Sequence, residues 1–84
     1  MKVILTHVSL EFISLGKGKF HTREIGPNPH HPQEELGQHT LCGRAVPFSV
    51  EVEQARTMES GHLCKRCLAS LVTYWRSGKV EFSG

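Results

Sequence analysis

The sequence predicts a small α+β domain: an N-terminal β-hairpin or small antiparallel sheet, and one C-terminal helix, arranged around a single metal site. Three observations predict it. Apolar residues alternate in the first third of the chain. A helical period replaces that alternation after Cys64. Between and around the two lie cysteines and histidines at metal-ligand spacing. The chain has 84 residues, so residues 1–84 are expected to form one domain. Only 38% of its residues are hydrophobic. A core of that size gives marginal stability, and a bound metal would supply the missing support.

The elements follow in chain order. Residues 2–15, KVILTHVSLEFISL, are rich in β-branched and aromatic residues and predict one strand, long and bent. Gly16-Lys17-Gly18-Lys19 predicts a turn, and Phe20 to Ile25 a returning strand that closes a hairpin. Residues 26–38 hold three of the four prolines and no apolar period, which predicts a surface loop. Phe48, Val50 and Val52 alternate within residues 45–56 and predict a second strand region. Thr57 to Gly61 reads as a turn. Leu68, Leu71, Val72 and Trp75 then fall at i, i+3, i+4 and i+7, the apolar face of a helix, with Trp75 expected in the core. Gly78 is the expected stop, and Lys79-Val80-Glu81-Phe82 an edge strand.

The chemistry sits in two short strings. Cys64-Lys65-Arg66-Cys67 follows the turn His39-Thr40-Leu41-Cys42-Gly43. All three cysteines of the chain fall in this pattern. An odd count does not suit a disulfide framework; three thiolates and one imidazole suit one tetrahedral zinc ion. The turn brings its ligands together because Gly43 accepts a positive φ. Cys64 and Cys67 flank the expected start of the helix, whose amides favour thiolate. Lys65 and Arg66 offset the negative charge between them. A turn, a β segment and a helix start around one zinc resemble the treble-clef arrangement.

Thr40-Leu41-Cys42-Gly43-Arg44 followed by Cys64-Lys65-Arg66-Cys67-Leu68 also resembles a group of small zinc-finger-like proteins of actinobacteria and their phages. Their pattern is His…Thr-x-Cys-Gly-Arg…Cys-x-x-Cys-Leu. The resemblance spans residues 19–72 and implies a fourth ligand from the upstream strand, here His21 within Lys19-Phe20-His21. The segment 26–38 is then an insertion longer than that pattern carries. Local spacing instead favours His39, so His21 and His39 both stand as the fourth ligand. His62 is poorly spaced for it. His30 and His31 read as solvated loop residues, and His7 as a strand surface residue.

Four filled positions make the expected zinc structural. A catalytic zinc keeps a position open for water. Zinc deaminases pair His-x-Glu with Pro-Cys-x-x-Cys. No histidine here has Glu two residues later, and Leu63 stands where Pro is required. The expectation is a non-enzymatic binding module without a small-molecule substrate. Val3-Ile4-Leu5 and Phe12-Ile13 are apolar on both strand faces, which points to a protein partner or a homodimer, with Phe12 and Ile13 as contacts. The alternative is nucleic acid, held by Arg44, Lys65 and Arg66 around the zinc turn. The net charge of +2 is mild for that role. Free thiols imply a reducing compartment. No stretch suits a signal peptide or a membrane span. A cytoplasmic protein is expected, in the host cytoplasm if a phage encodes it, where it would be directed at a host factor.

Overall fold

A computed structural model describes residues 1–6, 9–16, 18–25, 39–47 and 50–84. Among these residues there are two three-stranded antiparallel sheets and one α-helix. In chain order the elements are β1 (Lys2–Leu5), β2 (Leu10–Ser14), β3 (His21–Glu24), β4 (Glu51–Glu53), β5 (Thr57–Glu59), a 3-10 turn (Ser60–His62), α1 (Lys65–Arg76) and β6 (Val80–Ser83). One sheet has the order β5-β1-β6, the other β3-β2-β4.

The expected long strand is two strands, in different sheets. Val3-Ile4-Leu5 lies in β1 and Phe12-Ile13 in β2, and each is the central strand of its sheet. That position explains their apolar character: a central strand is paired on both edges and can be covered on both faces. The hairpin of β2 and β3 forms as expected, with Phe12 opposite Thr22 and Ile13 opposite His21. Gly16 and Gly18 both take positive φ in its turn. β4 pairs with the other edge of β2. Thr57–Glu59, expected as a turn, is a strand pairing with β1. Its alternation is short, but it suffices to bury Met58 between exposed neighbours.

Helix α1 ends in a Schellman motif. Lys79 N donates to Tyr74 O at 3.0 Å and Gly78 N to Trp75 O at 3.1 Å, with Gly78 at φ +84°. The Lys79 ammonium then lies over the Tyr74 ring. This turn reverses the chain, so β6 returns beside β1, with Val80 opposite Leu5 and Phe82 opposite Val3.

One core joins both sheets to the helix. Val3, Leu5, Met58 and Val80 come from one sheet, Leu10 and Phe12 from the other, Leu63 from just after the 3-10 turn and Leu71 from the helix. Two expectations about apolar residues fail here. Phe12 and Ile13 are fully buried, so neither offers a surface to a partner. Trp75, expected in the core, is 50% exposed. The inward side of α1 is Cys67 and Leu71, with Tyr74 packed against the core. The helix buries its ligand side and leaves part of its apolar stripe outside. The loop 26–38, together with His7, Lys17, His30, His31 and Phe48, lies outside the described residues.

Candidate metal centre

Three pieces of backbone bring four ligand atoms together. The first is β3, which begins at His21. Phe20 N donates to His62 O and Cys64 N to Phe20 O, both at 2.8 Å. These two bonds clamp the start of β3 to the segment leading into α1, with Phe20 beside Leu63 in a parallel bridge. His21 thereby stands next to the helix start.

The second piece is the turn at residues 40–44. Gly43 N donates to Thr40 O and Thr40 N to Arg44 O, each at 2.9 Å, while Gly43 takes φ +89°. A residue with a Cβ would be strained at that φ, which is why Gly follows the ligand. The turn is hung on β3: Leu41 N donates to Thr22 O at 2.8 Å, and Arg23 and Thr40 form an antiparallel bridge. Ser70 of α1 holds its other side, its hydroxyl donating to Leu41 O. The third piece is the start of α1, where Cys64 is the N-cap residue and Cys67 lies in the first turn.

His21, Cys42, Cys64 and Cys67 each offer one ligand atom, and all four lie within 4.8 Å of one another. His21 Nδ1 is 3.5 Å from Cys42 Sγ and 3.6 Å from Cys67 Sγ. A tetrahedral zinc with Zn–S of about 2.3 Å and Zn–N of about 2.05 Å has an N···S edge of about 3.6 Å. The two His21 edges match such an ion, and all four atoms lie close enough together to converge on one. All three cysteines are free thiols. The donor set, three sulfurs and one imidazole, suits zinc and leaves hard oxygen-seeking cations poorly served.

The group contains His21 and not His39. His39 is exposed, and its backbone pairs with Ala45 across the turn. The local His-x-x-Cys spacing misleads because residue 39 is part of the ladder entering the turn. The strand that supplies His21 is adjacent through the Phe20–Leu63 bridge, a contact no local spacing encodes. His62 is also exposed. Arg44, Lys65 and Arg66 are all exposed around the site.

Electrostatics divide the ligands. Burial opposes ionisation of Cys42, but hydrogen bonds from Thr40 and the Arg44 amide outweigh it and hold this thiol below its ordinary value. Thr40 Oγ1 lies 2.9 Å from Cys42 Sγ and accepts from Arg44 N at 3.1 Å. Cys67 is pushed up to about 11, mainly by burial, although Thr22 N donates to its sulfur at 3.5 Å. His21 is lowered by burial and by the nearby Arg44 guanidinium. A lowered histidine is neutral at physiological pH, the form that ligates metal. Thr22 and Thr40 are thus supporting residues that a search for ligands alone passes over. Thr40 could have been found from its place in Thr-x-Cys-Gly; the Thr22 contribution is a backbone amide and leaves no trace in the sequence.

Compared with protein-family profiles, curated proteins and solved structures, the chain matches none. What stands is a small α+β domain whose His/Cys cluster and local geometry are consistent with a treble-clef-like zinc-binding module. Among the described residues, no helix is long and apolar enough to cross a membrane.

Proposed function

We propose that this chain is a non-enzymatic module, folded around one structural zinc ion, that works by binding a partner protein. The observation that carries the structural role is the complete donor set: four convergent ligand atoms, three of them sulfur. Zinc held this way has its four positions filled by protein and none left for water or substrate. The pattern shared with small actinobacterial and actinophage proteins adds a narrower reading: a phage-encoded protein acting on a host factor in the host cytoplasm.

The preference for protein rests on apolar residues left outside the core, Trp75 and Val72 foremost. Exposed aromatic side chains are frequent anchors of protein interfaces. Arg44, Lys65 and Arg66, exposed near the metal cluster, support nucleic acid as the second reading.

Elemental analysis tests the first part. Wild type and His39→Ala should each carry one zinc per chain, and His21→Ala should lose it or bind it far more weakly. Full zinc retention in His21→Ala, or a wild type folded without zinc, would overturn the structural-zinc reading. Salt titration tests the second. Binding to a duplex or single-stranded oligonucleotide that weakens steeply with salt, and fails in a Lys65→Ala/Arg66→Ala variant, would move the reading to nucleic acid.

A further inference from the structure

Alongside α1 runs a groove whose lining includes none of the His/Cys cluster. Its volume is 430 Å³, and Leu68, Ala69, Val72 and Trp75 line it from the helix, with Phe82 from β6 and Met1 beside them. Among the described residues, Lys65 supplies the only charged side chain of the lining. The size is that of a cleft able to bury several side chains, about 300–1,000 Å³. Trp75 and Phe82 stack at a tilt, ring centroids 5.8 Å apart, and form one wall.

Two features of this surface select its occupant. The first is spacing. Lys65, Leu68, Ala69, Val72, Trp75 and Arg76 recur every three or four residues, so they form one stripe along the helix. Ala69 is small and lets a second backbone approach. A stripe of this kind is shaped for another helix lying alongside, whose ridge enters the groove. The second is charge. The stripe has a cation at each end, Lys65 and Arg76, and α1 contains Arg66 besides and no acidic residue. A second copy of this chain would set the same cations against one another. Nucleic acid would meet an almost wholly apolar surface where its phosphates need cations.

We propose that the groove along α1, between Val72, Trp75 and Phe82, is the docking site for an acidic amphipathic helix of a partner protein. The proposal rests on the protein-binding reading above and gives it a surface. Apolar side chains of the partner fill the groove, and its carboxylates meet Lys65 and Arg76. The zinc acts indirectly by fixing the first turn of the helix that carries the stripe.

Trp75 is the only tryptophan in the chain, so its fluorescence reports on the groove itself. Two synthetic helical peptides with the same leucine stripe, one flanked by glutamate and one by lysine, are titrated into the zinc-loaded protein. The glutamate peptide should bind and shift Trp75 emission to the blue. Affinity should fall about tenfold or more for the lysine peptide, and as much in Val72→Glu, where the exposed position tolerates the change. An Arg76→Glu variant should reverse part of the charge preference. Circular dichroism and zinc content confirm that each variant is folded. Equal binding of both peptides, binding unaffected by Val72→Glu, or no binding by either overturns the proposal. So does self-association lost on Val72→Glu, or an oligonucleotide that moves Trp75 emission. Selection from a displayed library of random peptides separates the two readings. Peptides that bind Val72→Glu as tightly as wild type leave protein binding standing and remove the groove; an empty selection on folded, zinc-loaded protein removes both.

Discussion

The two sheets of this domain are stabilised in different ways. In β5-β1-β6 the buried residues are Val3, Leu5, Met58 and Val80, all apolar. The buried polar residues among those described, His21, Thr22 and Thr40, lie in β3 and in the turn hung on it. That side also carries the Arg23–Glu11 ion pair across β2 and β3. One sheet is held by apolar area removed from water, which is non-directional. The other buries apolar residues too, Leu10, Phe12 and Ile13, and adds directional contacts that converge on the His/Cys cluster. The contrast teaches that an 84-residue chain can divide its support, with α1 as the shared member: its N-cap and first turn carry Cys64 and Cys67 of the cluster, and Leu71 further along lies in the core.

Removing the proposed zinc should break the comparison most completely. Structural zinc contributes about 10 kcal/mol or more to small domains, which exceeds the stability expected of a core this size. Cys67→Ser, or chelation of the wild type, should abolish the cooperative thermal transition. Hydrogen exchange during slow chelation should quicken first at residues 20–24 and 39–45. If β1 and β6 exchange faster than those segments, the division of support is wrong.

Truncating the apolar side is the next largest effect. Leu5→Ala should cost about 3 kcal/mol, read as a lower urea midpoint, while zinc content stays at one per chain. Loss of zinc in Leu5→Ala would show that the two sides are not separable. On the directional side, Thr40→Val removes the hydroxyl beside the Cys42 sulfur and the acceptor for Arg44 N. The expected cost is about 1 kcal/mol, seen as weaker zinc binding rather than as a core defect.

Proton release sharpens the same contrast. Cys67, raised to about 11, is protonated at neutral pH before metal binds, so zinc must displace its proton. His21 is lowered and carries no proton there to displace. Zinc affinity should therefore rise with pH through the neutral range, by about tenfold per unit for each proton released. Below pH 6.5 the rise should steepen only once the pH reaches the lowered His21 value. Calorimetric titrations in buffers of different ionisation enthalpy count the protons. Affinity that is flat between pH 7 and 8 would contradict the raised Cys67.

The fold class, and the grouping of the three cysteines in one cluster, were legible because both have local signals. Cys64 and Cys67 are neighbours on one helix turn, and Cys42 sits in a turn with its own glycine. The helix from Lys65 to Arg76 and the β2–β3 hairpin were legible for the same reason. What was not legible depends on distant pairing. Period-two alternation in KVILTHVSLEFISL signals strand but does not say that Leu5 and Leu10 belong to different sheets. Apolarity on both faces of Phe12-Ile13 suggested an outside partner, but both residues are buried within the chain's own fold. Trp75 fits a helical stripe as well as Leu71 does, but periodicity cannot tell which part of the stripe faces inward. Here the position of Cys67, turned toward His21, sets the rotation of the helix and leaves Trp75 outside.

The bridge between Arg23 and Thr40 has one more consequence. It brings the two flanks of the intervening chain together, so the ladder itself sets the span that this chain must cover. Closure entropy grows only with the logarithm of length, about 0.6 kcal/mol for each doubling. Lengthening the chain between Glu24 and His39 should therefore cost little, which the urea midpoint and zinc content of an insertion variant would check.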